Sequence, residues 1–244
     1  YKGWEFALNV IPIKTDNFTW DLTANLATLE RTVDKIADGT TTNVLAETWR
    51  GIQLQERTGE EWGAIYGRAY QRDDNGNILL SSTGSPQYDT NQYLGNLLPD
   101  FTGGASSYMT FKNFSLGLDF DFQKGGKLFS VTRMFNAYSG LGAETIGNNS
   151  LGNPQRDPVT GGGASVALAD ADTDSGGILI EGVDSNTGEP VSYLVEAQTY
   201  WGRLFALHER WLYDASYFKL RQARLDYTIP KNVLENTFIK QANI

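Results

Sequence analysis

The stretch "FSLGLDFDF", residues 114–122, alternates without a break: Phe114, Leu116, Leu118, Phe120 and Phe122 fall on one side, Ser115, Gly117, Asp119 and Asp121 on the other. A period of two residues sends these sets to opposite faces of a β-strand. In a water-soluble sheet the apolar face is the hidden one. In a transmembrane barrel it is the outer one, and the two carboxylates look into a polar lumen.

Outward from this strand the same pattern recurs. A tight Lys112–Asn113 turn joins it to a strand carrying Met109 and Phe111. Near the start, Trp4, Phe6, Leu8 and Val10 oppose Glu5, Ala7 and Asn9; after the turn-like "PIKTDN", Phe18, Trp20, Leu22, Ala24 and Leu26 oppose Thr19, Asp21, Thr23 and Asn25. These two runs read as an antiparallel pair. "WGAIYGRAYQRDDNGNILL" from Trp62 reads as a strand, an Asp-Asn-Gly-Asn turn and a short returning strand, and "QKGGKLFSVTRMFNAYSG" as a turn at Gly125 and Gly126 followed by another strand. In "DASYFKLRQARLDYTIP", residues 214–230, strict alternation places Lys219 and Arg221 on the face that continues through Ala223, Leu225, Tyr227 and Ile229. On that reading the two basic groups sit at an outer rim, where long side chains reach water, while Gln222, Arg224, Asp226 and Thr228 face the lumen. Pro230 ends the ladder. "KNVLENT" is then a turn and "FIKQANI" the beginning of a further strand.

Between the strands lie long stretches read as loops, at about 30–58, 80–104 and 139–190, with one short element in the first; 191–213 is mixed. Short turns alternating with long loops, at about ten residues per strand, are expected of outer-membrane barrels. A soluble β-sandwich binding module is the competing architecture, and a secreted glycan-acting enzyme a third reading. Expressed alone, a sandwich folds in buffer, whereas a barrel segment aggregates.

Composition narrows the choice. The chain has 244 residues, 26 glycines, 12% aromatics and 40% hydrophobic residues, which suits many strands joined by turns. The formal charge of −9 and the lack of a basic run argue against nucleic acid as a partner. With no cysteine and a single histidine, His208, neither a thiol nucleophile, a histidine triad nor a multi-histidine metal site can be built. His208 reads as a loop or interface residue, and Ser216 has no nucleophile context. No window reaches eighteen apolar residues, so a membrane-crossing helix is excluded but a crossing strand is not.

Five ordered stretches resemble one family: "GWEFALNVIPIKTDNFTWDLTANLA" (3–27), "GAIYGRAYQRDDNGNIL" (63–79), "YLGNLLPDFTGGASSYMTFKNFSLGLDFDFQKGGKLFS" (93–130), "GGILIEGVDSNTGEPV" (176–191) and "DASYFKLRQARLDYTIPKNV" (214–233). They look like the C-terminal part of a SusC/RagA-type TonB-linked outer-membrane transporter, from the Bacteroidota class of nutrient importers. The resemblance implies an all-β fold, an antiparallel stretch of a 22-stranded barrel in the outer membrane of a Gram-negative bacterium, and no enzyme activity. It also implies a SusD-like surface lipoprotein as lid, an oligosaccharide or peptide as substrate, and the TonB complex as energy source. The plug domain and TonB box of that family have no counterpart in this chain, which reads as an interior fragment needing the remaining segments of its barrel.

On this frame the lipid-facing residues are Trp4, Phe6, Leu8, Phe18, Trp20, Phe114, Leu116, Leu118, Phe120, Leu225 and Tyr227, and the lumen-facing ones Asp21, Asp119, Asp121, Gln222, Arg224 and Asp226. Trp49, Trp62, Trp201 and Trp211 lie near loops, where an indole could meet a sugar ring or the lid, although simple girdle placement explains them too. Asp170, Asp172, Asp174 and Glu181 occupy positions 1, 3, 5 and 12 of an EF-hand-like calcium loop, but Ser175 stands where that loop needs glycine and no flanking helices are evident. A solvated acidic loop is the better reading, and no cofactor is expected. Glu60 with Glu61, or Asp119 with Asp121 about 7 Å apart along a strand, could be nominated as a glycosidase pair, yet a polar barrel wall explains the aspartates without chemistry.

Overall fold

A computed structural model describes residues 1–48 and 50–244. In chain order its strands are β1 (Lys2–Lys14), β2 (Phe18–Glu30), β3 (Thr42–Thr48), β4 (Ile52–Arg57), β5 (Ala64–Tyr70), β6 (Leu79–Leu80), β7 (Tyr88–Asn96), β8 (Pro99–Phe111), β9 (Phe114–Gly125), β10 (Lys127–Phe129), β11 (Ser165–Ala167), β12 (Ile178–Asp184), β13 (Pro190–Val195), β14 (Leu212–Asp214) and β15 (Tyr217–Tyr227). Three helices, α1 (Val131–Tyr138), α2 (Ala197–Leu204) and α3 (Lys231–Leu234), complete it. The chain divides into two compact units: residues 1–33, 98–127 and 214–244 form the first, and residues 34–97 and 128–213 the second.

The first unit is one antiparallel sheet in the order β1-β2-β8-β9-β15. Its short connections, at residues 15–17 and 112–113, lie at one end, where Lys112 N donates to Asn17 O and Asn113 Nδ2 donates to the Thr228 carbonyl, both at 2.8 Å. The left-handed backbone of Lys112, φ 53°, closes the tighter turn. The long connections from β2 to β8 and from β9 to β15 both leave from the opposite end. The sheet is therefore asymmetric, as the alternation of turns and loops in the sequence implies.

The second unit holds two four-stranded sheets, β3-β4-β5-β7 and β11-β13-β12-β6, the latter closed by a parallel β12–β6 pair. Its core gathers Met134 and Ala137 of α1, Ile178 of β12, and Trp201, Leu204, Phe205, Leu207 and Trp211. Leu80, Ile180 and Val195 form a second buried group. Burying two tryptophans and several aliphatics stabilises such a unit by roughly 1.5–3 kcal/mol for each large side chain.

The stretches read as loops carry some strands of their own. Residues 30–58 carry β3 and β4, 80–104 carry β7 and the first turns of β8, and 139–190 carry β11 and β12. These strands lack a sustained apolar–polar alternation, as in "TNVLAET" of β3 and "YDTNQYLGN" of β7. They are held by tertiary pairing, as in the β12–β13 register from Ile178↔Val195 to Val183↔Pro190. Residues 131–138, expected as a strand, form α1: the Ser130 hydroxyl caps it by accepting from Arg133 N at 3.2 Å. Val131, Met134, Phe135 and Tyr138 then follow at helical spacing. Residues 236–244 form no named strand; Ile244 and Tyr227 exchange backbone hydrogen bonds at an isolated bridge region beside β15.

Candidate functional site

The register of the first unit sorts its side chains onto two faces. One row runs Phe6, Leu26, Gly103, Phe122, Phe218, the next Leu8, Ala24, Ala105, Phe120, Leu220, and lower rows add Leu118 with Ala223 and Leu116 with Leu225. This face is apolar but for Ser107 beside Leu118 and Thr28 beside Trp4, and it is uncovered: Leu225 is 70% exposed, Phe218 69% and Trp4 65%. Its one indole inside the sheet is satisfied locally, since Trp20 Nε1 donates to Ser107 Oγ at 2.9 Å. Gly103 lets the Phe122 ring lie flat on it, because a Cβ there would sit 2.5 Å from that ring and 2.6 Å from Asn25 O.

The other face is polar in every row: Asn9, Thr23, Ser106, Asp119 and Gln222 in one, Asp21, Tyr108, Gly117 and Arg224 in another. All the residues read from sequence as lumen-facing share it, and all those read as lipid-facing share the apolar side.

One feature departs from strict alternation. A β-bulge between Leu220 and Gln222 sets both Leu220 and Arg221 against Phe120, so the parity of β15 changes at that point. Lys219, paired with Asp121, consequently lies on the polar face with Gln222 and Arg224, not on the face of Leu225 as alternation alone implies. Arg221 also turns to Asp121: its Nη2 lies 2.8 Å from Oδ2 and its Nε forms a second contact with Oδ1. Tyr217 donates its hydroxyl to Oδ2 at 2.8 Å, and Lys219 Nζ stands 4.2 Å above the Tyr217 ring. Lower down, Arg224 Nε pairs with Asp226 Oδ2 at 2.8 Å. The basic residues of this strand thus belong to a charged network on one face. Asp121 is bonded to a guanidinium and a phenol, a structural role that accounts for it without chemistry.

Several other sequence expectations meet a different environment. Trp201 and Trp211 are 5% and 0% exposed, packed in the core of the second unit, with Trp211 Nε1 donating to Leu204 O at 2.8 Å. Trp211 has no surface to offer a sugar or a lid, and Trp201 shows only a sliver at a cavity it lines with Tyr138 and Arg156. Their place near loops in sequence conceals that α2 and the short 3-10 turn His208–Trp211 fold them inward. Trp62 is half-buried, its Nε1 donating to Glu56 Oε1 at 2.8 Å, and Trp49 lies outside the described residues. His208 is not at a loop surface but fully buried, its Nδ1 accepting from Arg68 N at 3.0 Å. Gly67 makes room for it, because a Cβ there would stand 2.6 Å from that nitrogen.

Asp170 ends a 3-10 turn, Asp172 and Asp174 follow it, and Glu181 is on β12. Among the described residues no three such carboxylates come together as a metal site. Glu60 accepts from the Tyr66 hydroxyl, while Glu61 accepts from Asn96 Nδ2 at 3.2 Å. Ser216 Oγ accepts from Gly125 N at 2.8 Å, a structural tie between β9 and the start of β15.

Comparison with known proteins locates this architecture. The whole chain aligns with TonB-dependent receptor P26 of Formosa agariphila at 24% identity and with receptor P3 of the same organism at 22%, spanning 23% of each. A further match, over 59% of the chain at 26% identity, is TonB-dependent receptor SusC of Bacteroides thetaiotaomicron. The likeness is to SusC/RagA-type TonB-linked receptors. In fold, 99% of the chain superposes on 24% of a chain in the RagAB peptide transporter with a TM-score of 0.54 at 16% identity, and on the RagAB peptide importer in its closed-closed state with 0.56. No family model matches the chain. The chain spans about a quarter of the length of the relatives it matches. Their names are those of receptors and transporters, not of enzymes, and among the described residues no helix is long and apolar enough to cross a membrane, which leaves strands free to do so.

Proposed function

We propose that this chain is a stretch of barrel wall in an outer-membrane, TonB-dependent nutrient importer. The observation that carries the reading is the five-stranded sheet with one uncovered apolar face and one charged face. Water on both sides would leave the apolar face unpaid for, since contiguous apolar patches of that extent are rare on soluble monomers; lipid on one side and a wet lumen on the other satisfies both faces. The edges of the sheet, β1 and β15, are then continued by further strands of the same barrel. The short turns at 15–17 and 112–113 are periplasmic, and the long connections extracellular.

In this reading the cargo is an oligosaccharide or peptide, captured with a SusD-like lipoprotein lid and released when TonB rearranges a plug, as the likeness to SusC and RagAB suggests. We assign no catalysis to the chain: Asp121, Glu60 and Glu61 are bonded to Arg221 and Tyr217, to Tyr66 and to Asn96, and Asp119 stands in a polar row between Ser106 and Gln222. Lid or cargo contact falls to surface positions of the second unit, with Trp62 the remaining tryptophan candidate among the described residues.

The test is an in-frame deletion of the encoding gene, with uptake of labelled oligosaccharides and peptides compared in cells with and without an active TonB complex. The expected result is loss of uptake of one cargo class to the level of the TonB-inactive strain, with the protein recovered in the outer-membrane fraction. Unchanged uptake of every cargo, together with recovery of the protein in a water-soluble fraction, would overturn the proposal.

A further inference from the structure

A second binding feature lies wholly in the second unit. A cavity of about 540 Å³ opens beside β4 and β5, within the range of small-ligand pockets. Three arginines line it, Arg50, Arg57 and Arg68, and no acidic side chain does. In a chain of net charge −9 that is a local inversion of sign.

The arginines are held by neutral partners. The Arg57 guanidinium stands 3.5 Å over the Tyr66 ring, donating Nε to Gln55 Oε1 at 3.0 Å and Nη2 to Asn91 Oδ1 at 2.9 Å. Gln55, only 3% exposed, is itself fixed by donating to Asn91 Oδ1 at 3.1 Å. Arg68 reaches the Ala206 carbonyl at 3.4 Å and lies 5.3 Å from the Tyr88 ring centre, and Arg50 lies 5.1 Å from that of Phe205. None of the three takes part in an ion pair among the described residues. The nearby carboxylates form no ion pair with them: Glu47 accepts from Gln53, Glu56 from Trp62 and Glu60 from Tyr66. Burial, and then the hydrogen bond to Glu60, push the Tyr66 phenol up to about 12, so it adds no negative charge at any growth pH. The result is a preorganised set of planar donors with no direct ionic partner among the described residues, the arrangement that recognises carboxylates.

The rest of the lining is amide, hydroxyl, glycine and one tyrosine; no aliphatic side chain of valine size or larger contributes. Such a wall offers hydrogen bonds to a polyhydroxylated ligand and little to the apolar side chains of a peptide. We infer that this cavity binds a short acidic saccharide, holding its carboxylate at Arg57 with Arg50 and Arg68 supplying the surrounding positive potential. The inference rests on the importer reading only for how a saccharide comes to meet the cavity.

The test is calorimetric titration of the complete receptor, purified in detergent, with trigalacturonate, using maltotriose and triglutamate as the neutral and peptide probes. Trigalacturonate should bind, with affinity falling as salt rises, and the other two should bind at least tenfold more weakly. Arg57→Gln should lower trigalacturonate affinity tenfold or more, Arg57→Lys less, and Arg68→Gln severalfold, each in protein whose thermal midpoint is unchanged. Should Arg57→Gln not fold, the Arg68→Gln and Arg50→Gln proteins carry the same test. Absence of trigalacturonate binding, equal binding of triglutamate, or arginine variants with unaltered affinity would each overturn the inference. Because binding is read without uptake, a receptor that imports cargo but ignores trigalacturonate sinks this inference alone and leaves the importer reading standing.

Discussion

Leu225→Arg should reduce the amount of assembled protein in the outer membrane severalfold or more, while Gln222→Arg leaves it near the wild-type level. Both positions are on β15 and three residues apart, but Leu225 pairs with Leu116 on the apolar face and Gln222 with Asp119 on the polar one. A guanidinium on the lipid side costs roughly 2–4 kcal/mol at mid-depth, falling toward zero at the interfaces; Leu225, two residues above the Tyr227 end of β15, lies between these limits. At Gln222 the same group meets Asp119 across the strand pair and a polar surround, where an opposite charge is tolerated or mildly favourable. Leu225 is the better probe because it is 70% exposed and so has no packing of its own to lose beyond the contact with the solvent of that face. Heat-modifiable migration of the folded barrel on gels, with outer-membrane abundance, measures the difference. Equal loss for both variants would mean that the faces do not meet different media.

Single-residue deletions should separate even more sharply. Removing Leu118 from the middle of β9 turns Leu116 and Phe114 to the charged side and Ser115 and Gly117 to the apolar side, because a one-residue slip inverts every side chain beyond it. Exposing two large apolar side chains to a wet lumen costs roughly 1.5–3 kcal/mol each, and β9 is bonded on both edges, so the error spreads to β8 and β15. Assembly should be all but abolished. Removing Arg221 should be tolerated, since it is the extra residue of the bulge. Without it Leu220 precedes Gln222 directly, and Lys219, Leu220, Gln222 and Ala223 alternate in the register they already occupy. The loss is confined to the contacts with Asp121, whose Tyr217 and Lys219 neighbours remain. If both deletions abolished assembly, Arg221 would have a role in the strand that the bulge does not explain.

The long strands were legible because each of their residues answers to only one question, which face it is on. β1, β2 and β9 carry enough consecutive turns of the period for their pairing to follow. The bulge in β15 was not legible for the same reason: a period of two has no place for an inserted residue, so Lys219 and Arg221 were assigned to the face of Leu225. Charge held the missing clue, since Asp119 and Asp121 supply the polar partner that basic residues on the neighbouring strand need. The second unit escaped more completely. Its strands β6, β11 and β14 are two or three residues long, below any periodicity. Gly125–Gly126 suggested a hairpin and hid α1, although Ser130 as a cap and the Val131, Met134, Phe135, Tyr138 spacing were present in the chain. Trp201 and Trp211 follow a loop-like stretch, which suggests contact, but position in sequence carries no information on burial. The arginine cavity is equally hidden, since Arg50, Arg57 and Arg68 are dispersed singly in the β3–β4 turn, on β4 and on β5, and only the fold brings them to one wall.

The central claim is that one face of the five-stranded sheet meets lipid and the other meets water. The chain contains no cysteine, so in a complete receptor made cysteine-free elsewhere, single thiols can be placed at Leu225→Cys and Gln222→Cys without background. Labelling in intact outer membranes with a charged, water-soluble maleimide and with a lipid-partitioning one measures the claim directly. Gln222→Cys should react with the charged reagent and Leu225→Cys only with the lipid-partitioning one; rapid reaction of Leu225→Cys with the charged reagent would contradict the account.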